Sequence, residues 1–206
     1  MKRFLGIIVL MLSSLLAFPA WSMDLAPDRL VDRTVQEVIE IIQKDEDLKN
    51  GNKDKMLDLI ETKILPHFNF LRMTQLAMGQ HWSKAAPEQQ NKLVNEFRTL
   101  LVRTYSNALS SYHNETINVN PIKQLGDQTE TTVRTVVIQG NGKEPVPIDY
   151  SMEKKPDGWK VYDVTVGGVS LVTNYRGSFN SQVRKGGVEG LLKVLTDKNK
   201  SLEGKK

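Results

Sequence analysis

The sequence predicts an α+β fold, in which several helices pack against a curved antiparallel sheet of about four strands. Three observations carry this prediction. Apolar residues recur three and four positions apart through residues 23–113, which is the period of one helix face. They alternate every second position through residues 114–166, as in a strand, and helical spacing returns over residues 167–198. Helices followed by a run of strands indicate helices on one face of an antiparallel sheet.

The first 22 residues are typical of a secretory signal peptide. Lys2 and Arg3 precede an apolar run, and Ala20-Trp21-Ser22 has small residues at the two positions that a signal peptidase recognises. The run is shorter than the roughly 20 residues of a membrane span, and Pro19 interrupts it. Residues 23–206 suit a single domain with a sizeable core.

Composition excludes several classes of function. The chain has no cysteine, so disulfides, thiolate nucleophiles and thiolate metal sites are impossible. The formal charge is +4, and the loss of Lys2 and Arg3 lowers it to +2. A surplus this small does not indicate a nucleic-acid partner.

Prolines and one glycine set the helix boundaries before the sheet. Pro27 and Pro87 suit first turns, because the N–H that proline lacks would be unpaired there. Pro66 ends a helix because its ring blocks continuation, and Gly79 offers a left-handed cap. The predicted helices span residues 27–43, about 54–65, about 70–78 and about 87–111.

The predicted strands are bounded by turn residues. Pro121 closes the first strand, and Asn141-Gly142 is a strong hairpin signal because both positions tolerate positive φ. Gly158 completes the next turn. The strands centre on residues 117–119, 131–137, 146–152 and 159–166.

The stretch 159–179 changes period at Gly167 and Gly168. Before these glycines the chain alternates as a strand, with Trp159 and Val161 on one face. The two glycines allow dihedrals that a Cβ would obstruct. The helix face that follows consists of Leu171, Val172, Tyr175, Phe179 and Val183. After Gly186 and Gly187, a last amphipathic segment carries Leu191, Leu192 and Leu195.

Residues suited to catalysis are few. His67, His81 and His113 are widely separated, and none has a partner at metal-ligand spacing. No nucleophile elbow, phosphate loop or dinucleotide fingerprint is present. Asp163 lies in an apolar strand, where burial would suit a general base. Asp163 could equally cap a backbone or pair with Arg176.

Several segments resemble one protein family over about residues 64–195. The stretch 159–179 is similar to it, as are Leu65-Pro66-His67-Phe68 with the downstream Gly79 and Trp82, and the helix segment 97–105. The family is that of the periplasmic phospholipid carriers of the Mla system, which maintains outer-membrane lipid asymmetry; some members are known as toluene-tolerance proteins. A match of this length is far more specific than a short motif.

The resemblance implies a deep apolar cavity between sheet and helices, with a phospholipid as cargo. It implies a periplasmic carrier that is not an enzyme and needs no metal or other cofactor. The expected partners are an inner-membrane Mla ABC transporter complex with an MCE-domain subunit, and an outer-membrane Mla lipoprotein with a porin. We expect the chain to be a monomer.

Candidate lining residues come from the long helix, the sheet and the stretch 159–179. Each of them, taken singly, also suits an ordinary core. Tyr105, Tyr175 and Arg176 are candidates for contact with the glycerol or phosphate at the rim. The lining candidates are Phe97, Leu101, Tyr105, Val133, Val137, Ile148, Tyr150, Val161, Val169, Val172, Tyr175 and Phe179.

Two other functions stay open on the sequence alone. An α+β cone-shaped enzyme would act on a small hydrophobic molecule with Asp163 as its base. A periplasmic chaperone or adaptor would bind a protein segment in an apolar groove.

Overall fold

The computed structural model describes residues 25–110, 115–140 and 142–203. They form α-helices and one antiparallel sheet, so the α+β prediction is confirmed. The predicted signal peptide, His113 and Asn141 lie outside the described residues. The helices are α1 (Pro27–Lys44), α2 (Glu46–Lys49), α3 (Lys53–Leu59), α4 (Phe70–Met78), α5 (Pro87–Ser110) and α6 (Leu171–Glu203).

The sheet is a meander in which each strand pairs with the next one along the chain. Its order is β1-β2-β3-β4-β5, and every pair is antiparallel. One more strand is present than predicted, because a two-residue strand is too short to show a period. The strands are β1 (Thr116–Val119), β2 (Glu130–Ile138), β3 (Val146–Lys155), β4 (Gly158–Val166) and β5 (Val169–Ser170).

Two helix predictions need correction. The predicted break over residues 44–52 contains α2, which Asp45 caps by accepting hydrogen bonds from the N–H groups of Asp47 and Leu48. Helical turns continue after α3 through Ile60–Ile64 and Leu65–His67. Pro66 therefore lies in the last turn rather than after it, near the start of that turn, where a missing N–H is tolerated.

Glycines lie before α6 and at its break. Gly167 and Gly168, with φ values of +57° and +83°, form the turn between β4 and β5, so the predicted change from strand to helix comes after β5, at Leu171, and not at the glycines. Gly186 and Gly187 depart from helical dihedrals, and Gly187 has φ 67° and ψ −169°. The predicted last amphipathic segment is therefore the second half of a broken helix.

A β-bulge in β4 decides which residues share a sheet face. Val161 is opposite Met152, whereas Asp163 is opposite Ser151, so Tyr162 is an extra residue. The bulge puts Val164 on the same face as Val161, although strict alternation would put them on opposite faces. An apolar face thus continues along the whole of β4.

The buried apolar residues form three clusters rather than one. The helical cluster joins α4, α5 and α6 around Phe97. The α1–α3 cluster joins the first three helices around Ile42 and Met56. The sheet cluster packs Val31 of α1 against the sheet face that contains Met152. A domain of this size more often has one contiguous core with small satellites.

Phe68 is the one apolar residue, among those the structure describes, that packs against two of these clusters. It follows the last turn before α4 and forms a parallel bridge with Val161 of β4. Its ring stacks on Phe70, with 5.7 Å between the centroids. Phe68 therefore connects the helical cluster to the sheet cluster.

Candidate functional site

The predicted lining residues on helices form an aromatic wall. Phe97 of α5 meets Tyr175 and Phe179 of α6 edge to face, with ring centroids 4.9 and 5.0 Å apart. Leu101 and Val172 are buried in the same helical cluster. Tyr175 is half-buried, so this wall has one side that the core does not cover.

The predicted lining residues on the sheet form a second wall. Val133 and Val161 are buried in the sheet cluster, and Tyr150 packs against it. Val137 and Ile148 are half-buried towards the end of the same face, where Ile148 lies between Thr135 and Val166. The structure thus groups the candidates into two walls, one in each of two separate clusters.

Exposed apolar side chains lie at one end of the sheet. Val169 is 58% exposed and pairs with Val166, which is 37% exposed. Val166 in turn pairs with Ile148 of the sheet wall. Tyr105, which is 38% exposed, lies beside Tyr175 of the helical wall. Isolated exposed apolar residues are common, but here neighbouring strands expose them together at the edge of an apolar face.

Polar groups in the two walls are neutral hydroxyls. Burial raises the pKa of the Tyr150 phenol, while a hydrogen bond with Thr135 opposes that shift. Burial and the neighbouring Tyr105 raise the pKa of Tyr175, which also hydrogen-bonds with Thr104. Phenols that are neutral and hydrogen-bonded cost far less to desolvate than charged groups, so the walls suit an apolar ligand.

Arg176 points to a different side of α6 from Tyr175. Its Nε donates a hydrogen bond to the Leu76 carbonyl of α4 at 2.8 Å. It lines an open groove with residues of Gly79–Lys84, whereas Tyr175 contacts α5. The structure therefore does not group Arg176 with the two rim tyrosines.

Asp163 serves as a cap for α6. One carboxylate oxygen accepts the N–H groups of Val164 and Val172 at 2.8 and 3.1 Å, and the other accepts the Ser170 hydroxyl at 2.5 Å. Ser170 in turn accepts the N–H of Thr173. Of the sequence alternatives, backbone capping is confirmed, and pairing with Arg176 is wrong because Arg176 contacts Leu76.

An ion-pair network that sequence analysis missed holds α4 against the sheet. Arg72 donates to Glu153 at 2.7 Å and to Glu130 at 2.8 Å, and its guanidinium lies 3.7 Å from the Tyr162 ring centroid. Asn69 also donates to Glu153, at 2.6 Å. Arg72 lowers the pKa of Glu130 through the hydrogen bond. In the sequence, this network is visible only as one charged residue, Arg72, in a mostly apolar helix, and that is a weak signal.

No metal-binding group is present in the described parts of the chain: no three His, Asp or Glu residues lie close enough together to hold an ion there. Within the same ranges, every helix is too short or too polar to span a membrane.

One protein family matches most of the chain. The family model for the MlaC protein matches residues 32–197. The chain belongs to the MlaC family. That match contains both walls, the Arg72 network and the Asp163 cap, so the site described above lies within the part shared with the MlaC family.

Curated MlaC relatives are named for lipid transport and solvent tolerance. The intermembrane phospholipid transport system binding protein MlaC of Haemophilus influenzae is 24% identical over 194 residues, 93% of this chain and 91% of that protein. The toluene tolerance protein ttg2D of Pseudomonas putida is 26% identical over 184 residues, 88% of this chain and 83% of that protein. The first name describes binding and transport, and neither names a catalytic activity, in line with the prediction of a protein that is not an enzyme.

A solved relative contains a ligand. The phospholipid-binding protein from Ralstonia solanacearum, determined in complex with a phospholipid, is 41% identical to this chain, with a TM-score of 0.77. The match covers 84% of this chain and 97% of that structure. The two proteins therefore share one fold over most of their length.

Proposed function

We propose that the chain is a periplasmic phospholipid carrier of the Mla pathway. The observation that carries the proposal is the phospholipid bound by the Ralstonia relative, whose fold matches 84% of this chain. The two apolar walls described above give this chain residues suited to the same task. Residues 1–22 would direct it to the periplasm, and residues 23–206 would form the lipid-binding domain.

The physical need for a carrier is large. A phospholipid with two chains exposes roughly 30 methylenes in water, at about 0.8 kcal/mol each, so free passage costs on the order of 25 kcal/mol. Two apolar walls that enclose the tails remove most of that barrier. The exposed Val166, Val169 and Tyr105 would form the mouth, where a charged headgroup stays in water.

The carrier would exchange lipid with two membrane complexes. As the resemblance implies, these are the inner-membrane ABC transporter with its MCE-domain subunit and the outer-membrane lipoprotein with its porin. Tyr105 and Tyr175 would contact the glycerol or phosphate at the mouth. Arg176 is proposed for this role only if its side chain leaves Leu76.

Native mass spectrometry of protein purified from the periplasm tests the carrier function. We expect bound phospholipid in stoichiometric amount. Protein that is empty, and stays empty after incubation with phospholipid vesicles, would contradict the proposal. Bound peptide in place of lipid would favour the chaperone or adaptor.

A matched pair of variants tests the sheet wall. Ile148 is half-buried on the wall face, whereas alternation along β2 puts Ile138 on the opposite face, where it is 40% exposed. We expect Ile148→Glu to lower bound phospholipid several-fold, and Ile138→Glu to leave it unchanged. Circular dichroism would confirm that both variants fold. Equal lipid content in the two folded variants would contradict the wall assignment.

A further inference from the structure

An open groove runs along the outer side of α6. It consists of two adjoining depressions of about 550 and 560 Å³, which share Gln80 and His81. One side is the Gly79–Lys84 segment, and the other is α6 from residue 173 to residue 188. We call it the α6 groove.

The α6 groove lies apart from the proposed lipid walls. Val172, Tyr175 and Phe179 of α6 face the helical cluster. Thr173 and Gly177 line the groove instead, about a third of a turn around the helix. One helix therefore presents the aromatic wall on one side and the groove on another.

Gly177 has no role within the chain that explains its presence. It lies inside a helix, where glycine is destabilising relative to alanine. Its φ is not positive, and a Cβ built on it would meet nothing within 4 Å. Neither backbone conformation nor packing within the described residues requires a glycine there. An open position without a side chain suits the close approach of another molecule.

His81 leaves a buried nitrogen unpaired beside the same groove. The side chain is 7% exposed, and its Nε2 lies 2.8 Å from the Asn180 amide oxygen. Because that oxygen only accepts, Nε2 carries the hydrogen. Nδ1 has no hydrogen-bond partner among the described residues. A buried polar atom without a partner is unfavourable, but Nδ1 is closed to solvent, so a docked molecule gains this free energy only by turning the ring towards the groove.

The charge of the groove is entirely positive. Lys84, Arg176 and Arg184 line it, and no carboxylate does. Within the part of the chain that the structure describes, none of these three cations forms an ion pair. A complementary ligand carries negative charge on the side that faces them.

We propose that the α6 groove binds an acidic amphipathic helix of a protein partner. Eight residues of α6 line it, and the regular helix within their span, residues 173–185, is about 20 Å long, which fits a helix of about four turns. Helix-in-groove docking uses an apolar face, here against Val183 and Val188, with charges along its border. A flat bilayer surface would not reach Gly177 or His81 inside a concave groove. The inference rests on the proposed carrier function, because a carrier must dock on its donor or acceptor.

Fluorescence anisotropy with a defined probe tests the proposal on the full, lipid-loaded chain. The probe is a labelled 15-residue amphipathic helix with Leu on one face and Glu on the other, and its counterpart carries Gln in place of Glu. We expect the Glu helix to bind at least tenfold more tightly than the Gln helix, and binding to weaken with salt.

Two groove variants have matched controls on the same helix. Gly177→Leu fills the groove and Arg184→Glu reverses a charge, so each should weaken binding of the Glu helix at least tenfold. The controls are Ser178→Leu and Lys198→Glu, which introduce the same two side chains at exposed positions that do not line the groove. Each control should change the affinity for the Glu helix less than twofold. Gly177→Ala should raise the Tm by about 2–4 °C and still weaken binding, which misfolding cannot explain.

Bound phospholipid is measured in every variant, and we expect it to be unchanged. If the wild type contains no bound phospholipid, the carrier function is contradicted. The peptide measurement then still decides whether the groove binds a helix. No binding of the Glu helix by the wild type, or equal binding by groove and control variants, would overturn the groove assignment. Binding to anionic vesicles that Arg184→Glu abolishes, without peptide binding, would overturn it in favour of a membrane surface.

Discussion

At the scale of single residues, the polar side chains of Asp163 and Thr135 hold backbone in place. Asp163 has the strand context of a catalytic carboxylate, yet its oxygens accept two backbone N–H groups and one hydroxyl. Thr135, which is 1% exposed, donates its hydroxyl to the Ile148 carbonyl. Groups that are fully occupied in this way stabilise the frame around the site and are not free to move protons.

We expect Asp163→Ala to lower the free energy of unfolding by about 1–2 kcal/mol, the usual effect of losing a helix cap. Asp163→Asn should lower the free energy of unfolding by less than half as much, because an amide oxygen still accepts hydrogen bonds from the N–H groups of Val172 and Val164. Urea unfolding measures both, and phospholipid content should stay the same. Equal destabilisation by the two variants would contradict the capping role.

His67 gives the stability a pH dependence. Burial and the nearby positive charge of Lys160 lower the pKa of its imidazole below 6.5, and Glu37 only partly opposes them. As pH falls through 6.5 the unfolded chain takes up this proton first, so the free energy of unfolding decreases until the lowered pKa is passed. His67→Gln removes this term. Urea unfolding at several pH values should show that the difference in unfolding free energy between wild type and variant is constant above about pH 7.5 and changes as the pH falls below about 6.5. A difference that stays constant throughout would contradict the prediction.

At the scale of elements, the sequence predicts the boundaries of helices and strands, but it does not predict contacts between residues far apart in the chain. Helix periods and the glycines at 167, 168, 186 and 187 locate most boundaries, because propensity and dihedral limits act within a few residues. The bulge at Tyr162 depends on the register with β3, and the Arg72 network joins residues up to 84 positions apart. Neither leaves a periodic signal. The division of the lining candidates into two walls is equally invisible, since a period identifies an apolar face but not its partner.

The junction between α4 and the sheet depends on Arg72. We expect Arg72→Met to lower the free energy of unfolding by about 2 kcal/mol, because Glu153, whose side chain is 13% exposed, loses its cation. Lys193→Met is the matched control: it removes a cation from an exposed pair with Asp197 and should cost less than about 0.5 kcal/mol. Chemical denaturation of both variants measures the difference, and equal effects would show that the junction does not need the ion pair.

The break in α6 depends on Gly187. With φ 67° and ψ −169° it lies in a region that only glycine adopts readily, so Gly187→Ala should cost about 1–3 kcal/mol. Gly190→Ala is the control, since its Cβ would meet only the Gln182 carbonyl at 3.9 Å and its φ is not positive. Thermal unfolding measures both. A stabilising Gly187→Ala would contradict the strained dihedrals.

At the scale of the whole molecule, the buried apolar residues are divided among three clusters, where a domain of this size usually has one core. The helical cluster contains residues of α4, α5 and both halves of α6. Helix α1 contributes buried residues to the other two clusters. On the proposed function, walls that belong to separate clusters would keep their own packing when the lipid leaves. A carrier that alternates between loaded and empty forms needs this property.

Removal of bound phospholipid should lower the stability of the whole protein. A ligand present at about 100 times its Kd stabilises the folded state by about 2.7 kcal/mol, which corresponds to about 5–10 °C in Tm for a domain of this size. Differential scanning calorimetry before and after organic extraction measures the change. Ile148→Glu, expected to hold little lipid, should change far less on extraction. An unchanged Tm in extracted wild-type protein would contradict lipid as a structural ligand.

Phe68 determines how the native state opens. It is the only described apolar residue that packs against both the helical and the sheet clusters, and the other links between them include the Arg72 network and the Asp163 cap of α6. Amide hydrogens of α4–α6 and of β2–β4 should therefore exchange with deuterium as two cooperative units with different protection. One aromatic ring, carried by the short segment before α4, then acts together with the Arg72 ion pairs and the Asp163 cap to limit how independently the two halves of the molecule fluctuate.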